Sequence, residues 1–134
     1  MLVCDYVITE QGTKKKSLIG IFENIAASRF PFVHPFLCVY IKLTEAHGQY
    51  RFRLELVHLK TDKVAGQGEI PQDITIASPL MSHELVFNLR GIRFAEPGDY
   101  EFRIFANGRI FGQKTFQVAE FRNESKKEGP ENKP

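Results

Sequence analysis

Two neighbouring segments of the sequence, Phe36–Thr44 and Gln49–Lys60, alternate between apolar and polar residues with a period of two. This alternation is typical of β-strands that have one buried and one exposed face. The short connection between them has a length common in hairpins. Pairing the two segments places their apolar residues together on one face. We therefore predict an antiparallel hairpin, with Cys38 beside Glu55 on its polar face.

The rest of the 134-residue chain continues this pattern. About eight short β-like runs are separated by turn residues, and no segment has a helical period. The sequence thus predicts an all-β fold, a two-sheet antiparallel β-sandwich. Asn107-Gly108 predicts a two-residue hairpin turn, because a type I′ turn needs positive φ at both positions. We expect a single domain over residues 1–121 and a disordered charged tail over residues 122–134, which contain no apolar residue.

Local signals refine this expectation. Ser17–Glu23 carries apolar residues on both faces, as a strand buried on both sides would. Asn24–Pro35 contains two prolines and is expected to be a crossing loop. Val64–Ile70 contains two glycines, which is typical of an edge or bulged strand. In Arg109–Glu120, a bulge within residues 112–115 would bring the apolar residues into phase.

Composition limits the classes of function. Hydrophobic residues make up 43% and charged residues 25% of the chain, as in globular domains. The net charge of +2 is too small to indicate binding to nucleic acid or an anionic membrane. The first residues do not resemble a secretory leader, so a cytoplasmic location with reduced cysteines is expected. A disulfide between Cys4 and Cys38 stays possible if their strands are neighbours.

The segment Phe94–Ile104 resembles the tyrosine corner of immunoglobulin-like and fibronectin-like domains. In that motif, a tyrosine just inside the penultimate strand hydrogen-bonds back to the preceding loop. Tyr100 has this position after Glu96-Pro97-Gly98. The core tryptophan of antibody domains is absent, because the chain contains no Trp. The resemblance implies an immunoglobulin-like or fibronectin-like β-sandwich and not an antibody domain.

Five segments resemble a small bacterial family of uncharacterised proteins, a domain of unknown function of similar length. They are Val3–Val7, Ser17–Ile25, Phe30-Pro31, Leu37–Leu43 and Pro97–Phe102. These segments span nearly the whole chain before the tail, and they are features of strands and turns. The resemblance implies an immunoglobulin-like β-sandwich and carries no assigned activity, cofactor or catalytic residue.

The sequence contains no recognisable catalytic motif. Its histidines lie in separate segments without the spacing of a metal site; they are His34, His47, His58 and His83. There is no Gly-x-Ser-x-Gly elbow and no phosphate-binding loop. A carboxylate beside Cys38 would disfavour its thiolate, the form that acts as a nucleophile. We expect no enzymatic activity, no metal and no cofactor.

The polar face of the predicted hairpin is the first candidate interaction site. If Asp99–Ala106 joins the same sheet, the face gains further residues from that strand and the next. The complete face consists of Tyr40, Lys42, Arg51, Arg53, Arg103, Phe105 and Ile110. Arginine beside aromatic residues is typical of protein interfaces and also suits stacking on single-stranded bases. The blander alternative, which we favour, is a charged face that solvates an exposed sheet.

The segment Ala27–Pro35 is the second candidate. On a loop, Arg29, Phe30, Phe32 and His34 would offer a peptide or ligand contact. Alternatively, Phe30, Phe32 and Val33 close one end of the hydrophobic core. We favour this second interpretation, because apolar side chains on a crossing loop can complete a core.

These observations favour a non-enzymatic module that associates with a protein partner or with a second copy of itself, and not with a membrane. A nucleic-acid-binding module is one alternative, suggested by the arginines and aromatic residues. The near-neutral charge and the interspersed acidic residues oppose it. A hydrolase or carbohydrate-active protein with a site built from loops is another alternative.

Overall fold

The computed structural model describes residues 1–121, which form an all-β structure without a helix. This range contains eleven strands, whereas the sequence suggests about eight. The strands are β1 (Leu2–Thr9), β2 (Lys16–Ile21), β3 (Asn24–Ala27), β4 (Phe32–Leu43), β5 (Gly48–Tyr50), β6 (Phe52–His58), β7 (Lys63–Glu69), β8 (Ile74–Ile76), β9 (His83–Phe94), β10 (Gly98–Ala106) and β11 (Arg109–Glu120). The tail predicted over residues 122–134 lies outside the described residues.

The described strands form two larger sheets and one small one. The four-stranded sheet has the order β2-β1-β4-β9, and the five-stranded sheet has the order β3-β11-β10-β6-β7. The short strands β5 and β8 pair with each other. Side chains from both larger sheets form one hydrophobic core. Its largest fully buried side chains are Tyr100, Phe52, Phe87, Phe94, Phe102 and Phe116.

The predicted hairpin between Phe36–Thr44 and Gln49–Lys60 is wrong. β4 pairs with β1 and β9, whereas β6 pairs with β10 and β7 in the other sheet. Val39 of β4 and Leu54 of β6 are both fully buried in the shared core. Alternation requires only that one face of each strand is buried. It is therefore satisfied equally by strands that pair with each other and by strands that contribute to one core from two sheets.

Two further local predictions are wrong because the sequence of a strand does not determine which strands pair with it. Ser17–Glu23 is not buried on both sides, since β2 is an edge strand and mostly exposed. Asn24–Pro35 is not a continuous loop, since it contains β3 and the start of β4. β3 pairs in parallel with β11, the last strand of the described chain, which supplies its backbone partners.

The tyrosine corner and the Asn107-Gly108 turn are both confirmed. The Tyr100 hydroxyl donates a hydrogen bond of 2.6 Å to the Glu96 carbonyl oxygen. Asn107 and Gly108 have φ angles of 52° and 82°, as a type I′ turn requires. The predicted edge position of β7 is also confirmed, and its pairing with β6 is irregular beside Leu56. The bulge of β11, however, falls at Phe111 and not within residues 112–115.

β1 separates from β4 after Cys4. It pairs with β4 over three positions, the last of them Cys4 opposite Cys38, but with β2 as far as Thr9. The Cys4 thiol lies 3.4 Å from the carbonyl oxygen of Tyr6, which an extended strand would place out of reach. The chain therefore bends at this point. We call residues 5–20, which continue beyond the bend as a two-stranded ribbon, the hairpin arm.

Gly20 fits this bend for a steric reason. It lies on β2 next to Asp5 and has a φ of 72°, in the left-handed region that favours glycine. A Cβ atom at this position would overlap the Asp5 carboxylate. The sequence marks the bend only by this glycine, which is why the bend was not predicted although both strands of the arm were.

Candidate interaction surfaces

The structure divides the predicted polar face between two sheets. Tyr40 and Lys42 lie on β4 of the four-stranded sheet. Arg53, Arg103 and Phe105 lie together on the five-stranded sheet, where Arg103 is opposite Glu55 and Phe105 is opposite Arg53. The two groups are separated because β4 and β6 belong to different sheets and do not form the predicted hairpin. The seven residues therefore do not form one surface.

The arginines of this predicted face are paired with carboxylates. Arg53 contacts Glu55 and also stacks over the Phe105 ring, with its guanidinium carbon 4.1 Å from the ring centroid. Arg103 donates a hydrogen bond of 2.8 Å to Glu101, and this bond raises the pKa of its guanidinium. Such local pairing reduces the positive charge that this sheet presents to a polyanion.

The remaining members of the predicted face lie at its periphery. Arg51 donates a hydrogen bond of 2.7 Å to Asp73. Ile110 is the cross-strand partner of Phe105 and is half-exposed, as is Phe111 beside it. The Phe111 ring lies 6.1 Å from the ring of the buried Phe52, so Phe111 and Ile110 do not extend one surface. Scattered apolar residues of this kind are normal on a protein surface.

Tyr40 is fixed by an acidic neighbour on the adjacent strand. Its hydroxyl donates a hydrogen bond to Glu84, and this bond raises the pKa of Tyr40 to about 12. Glu84 is also the cross-strand partner of Lys42. Tyr40 is therefore neutral at physiological pH and serves as a hydrogen-bond donor within the sheet.

The residues predicted to form a loop site do not all lie on a loop. Arg29 is exposed, and Phe30 packs against the core after β3. Phe32 and His34 belong to β4, where the Phe32 ring stacks on Phe94 at 6.2 Å. Val33 is half-exposed. Phe30 and Phe32 thus contribute to the core, as the favoured interpretation expects, whereas Val33 does not.

An exposed apolar surface lies on the hairpin arm and its root, and it was not predicted from the sequence. Tyr6, Ile8, Ile19 and Ile21 have exposed fractions of 59%, 52%, 45% and 53%. They share one face of the β1–β2 ribbon, because Tyr6 is directly opposite Ile19 and all four have the same side-chain parity. We call these four residues the arm face. Several exposed apolar side chains on one face of a ribbon are typical of an interaction site.

The composition of β2 contained a signal for the arm face. Apolar residues on both faces, directly after Lys14-Lys15-Lys16, fit an edge strand flanked by charge as well as a fully buried strand. Only the position of β2 at the edge of its sheet separates the two interpretations.

The root of the hairpin arm is fixed on the sheet by an aromatic contact. The Tyr6 ring stacks on Phe36 of β4, with the ring centroids 5.9 Å apart.

A polar depression lies beside the tip of the hairpin arm. It is lined mainly by Lys14, Lys15, Lys16, Lys42 and His83, together with Glu84. The depression is wide and open to solvent; Lys14, Lys15 and Lys42 are exposed and Lys16 is half-buried. Surface lysines of this kind increase the local positive potential without forming a defined binding site.

His58 is the buried polar side chain of the core. Its Nδ1 atom lies 2.9 Å from the Thr61 hydroxyl, and its ring lies 4.5 Å from the Tyr100 ring. A cavity of about 200 Å³ adjoins it, lined also by Lys63 and Arg93.

Among residues 1–121, no group of three His, Cys, Asp or Glu side chains is placed to hold a metal ion. The same residues include no helix that could cross a bilayer.

Comparison with known proteins places the chain in a family. A search of curated proteins finds no match. A family model described as a family of unknown function (DUF6941) matches residues 1–119, which include ten complete strands and all but the last residue of β11. The match extends over the arm face and both larger sheets. The chain therefore belongs to this family of unknown function, DUF6941.

Proposed function

We propose that the protein is a non-enzymatic β-sandwich module that associates with protein, and that its first partner is a second copy of itself. The observation that carries this proposal is the arm face, four apolar side chains about half-exposed on one side of the β1–β2 ribbon. Such surfaces are rare on monomeric proteins unless they serve an interaction. The paired arginines of the five-stranded sheet favour this function over nucleic-acid binding.

We assign the fold to the immunoglobulin-like sandwiches. The assignment is supported by the order β11-β10-β6 in one sheet and β1-β4-β9 in the other, which matches strands GFC and ABE. The added edge strands are β3, β7 and β2. The tyrosine corner at Tyr100 further supports it. In this scheme β2 is an insertion after the first strand. The arm face is thus an addition to a common scaffold, where functional differences usually lie.

Self-association through β2 is supported by its position and by its charges. β2 is an edge strand, and its free backbone groups suit pairing with another strand. Antiparallel pairing about a two-fold axis at Ile19 sets Lys15 of one copy opposite Glu23 of the other. Glu23 contacts Lys114 at 3.2 Å, yet its side chain is 66% exposed and accessible to a second cation.

Replacing Ile19 with aspartate is expected to weaken the dimer about tenfold or more. In the proposed pairing, the two Ile19 side chains meet at the two-fold axis, so the substitution brings two carboxylates together. Light scattering coupled to size-exclusion chromatography, at concentrations up to about 100 µM, measures the change in dissociation constant. The matched control is Val64→Asp, because Val64 is 51% exposed on the edge strand of the other sheet.

A charge-reversal pair tests the register separately. Lys15→Glu alone is expected to weaken the dimer, and Lys15→Glu combined with Glu23→Lys is expected to restore it. A wild-type chain that is monomeric at about 100 µM would remove the self-association proposal. So would a dimer that Val64→Asp disrupts while Ile19→Asp leaves it intact. We further propose a cytoplasmic location, which the two free thiols support.

A further inference from the structure

The two cysteines face each other across neighbouring strands. Cys4 of β1 and Cys38 of β4 are direct partners in the antiparallel register, although both thiols are free. Direct partners in such a ladder have Cα atoms about 4.5–5.5 Å apart. A disulfide needs Cα atoms about 4.4–6.8 Å apart. The backbone therefore already satisfies the distance requirement for a cross-strand disulfide.

Both thiols lie near the Tyr6–Val7 peptide group. The Cys4 thiol donates a hydrogen bond of 3.4 Å to the Tyr6 carbonyl oxygen. The Val7 amide of the same peptide group lowers the pKa of Cys38. The bend of β1 places this peptide group beside the cysteine pair. On its other side, the Cys38 thiol donates to the Asn88 side-chain oxygen at 3.2 Å.

We propose that Cys4 and Cys38 are a dithiol modification site that hydrogen peroxide converts to an intramolecular disulfide. In the first step, the Cys38 thiolate attacks one peroxide oxygen, the O–O bond breaks, and Cys38 sulfenic acid and hydroxide form. In the second step, the Cys4 sulfur attacks the Cys38 sulfur and displaces hydroxide. Overall, two thiols and one peroxide give one disulfide and two water molecules.

The surroundings of the two sulfur atoms determine this order. Burial raises the pKa of both thiols. The neighbouring Cys38 and Asp5 raise the pKa of Cys4 further. A backbone hydrogen bond at Tyr6 acts in the opposite direction and lowers the pKa of Cys4. For Cys38, two groups lower the pKa, the Val7 amide and the Arg90 guanidinium, and no neighbouring charge within residues 1–121 raises it. Both side chains are buried, with exposed fractions of 0% for Cys4 and 3% for Cys38, so the contacts that lower the pKa of Cys38, and not access, set the order.

The disulfide would fix the root of the hairpin arm. β1 is attached to β4 by only three register pairs, and Cys4 is the last of them before the bend. A covalent bond at this pair ties the arm to the four-stranded sheet whatever happens to the backbone pairing. The inference does not depend on self-association, because both thiols belong to one chain.

The test treats the reduced full chain with hydrogen peroxide and follows thiol number and intact mass. We expect both thiols to disappear together, the mass to fall by two hydrogen atoms, and dithiothreitol to reverse the change. Peptide mapping is expected to link Cys4 to Cys38. The rate should rise about tenfold from about pH 7 to about pH 8, because both pKa values lie above this range and the thiolate fraction grows with pH.

Single-cysteine variants test the order of attack. Cys4→Ser leaves Cys38, which is expected to gain one oxygen and to be trapped by dimedone. Cys38→Ser leaves Cys4, which is expected to react at least about tenfold more slowly. Equal reactivity of the two variants would overturn the order. Retention of both wild-type thiols, gain of oxygen by each cysteine, or a disulfide-linked dimer would overturn the site itself, and these readouts need no variant to fold.

Discussion

Replacing Phe102 with alanine is expected to lower the free energy of unfolding by about 3–5 kcal/mol. Phe102 lies in the middle of β10 and has no exposed surface. Its ring packs edge-on against Phe116 of β11 at 5.3 Å. Truncation removes this contact and leaves a cavity between the two larger sheets, which the surrounding core can fill only in part. Urea denaturation followed by fluorescence or circular dichroism measures the loss.

The matched control for this substitution is Phe105→Ala in the same strand. Phe105 has the opposite side-chain parity, is partly exposed, and supports the Arg53 guanidinium on its ring. Its truncation is expected to cost less than about 1 kcal/mol. Similar losses for the two variants would contradict the assignment of buried and exposed faces to β10.

Tyr100→Phe is expected to lower the free energy of unfolding by about 1–3 kcal/mol. The substitution removes one oxygen atom and with it the 2.6 Å hydrogen bond to the Glu96 carbonyl oxygen. Tyr100 is almost fully buried, so water cannot readily replace its hydroxyl at that carbonyl. Burial raises the pKa of Tyr100, and the hydroxyl therefore stays a donor at physiological pH. Thermal and urea unfolding measure the change.

Tyr50→Phe provides a control with the same chemistry. The Tyr50 hydroxyl also donates a 2.6 Å hydrogen bond to a backbone carbonyl, that of His47, but at an exposed position. Water can take the place of this hydroxyl, so the expected loss is within about 0.5 kcal/mol. If the two substitutions proved equally costly, burial would not be the cause of the Tyr100 effect.

Sequence reasoning predicted the all-β class and several local features because these depend on neighbouring residues. Period two identified the buried rows of β4, β6 and β10, and the turn chemistry of Asn107-Gly108 identified the last hairpin. Sheet membership could not be obtained in this way. Val39 and Leu54 satisfy their patterns from different sheets, and no local signal separates that arrangement from a hairpin.

Unknown strand pairing also limited the prediction of which surface residues lie together. Tyr40 and Arg53 were placed together because a hairpin was assumed, and the loss of the hairpin separated them. Ile19 was assigned to a buried strand, since burial and an exposed edge produce the same apolar composition. The proximity of Cys4 and Cys38 depends on the pairing of β1 with β4, which the sequence left open.

The parallel pairing of β3 with β11 has a consequence for synthesis on the ribosome. Asn24–Ala27 emerges early, whereas its partner Gln117–Glu120 emerges near the end of the domain. A nascent chain that stops before β11 therefore leaves β3 unpaired and one edge of β10 open, the state in which chaperone capture and aggregation compete with folding. Protease resistance of the growing chain is expected to appear late and in one step, after the whole of β11 has left the exit tunnel.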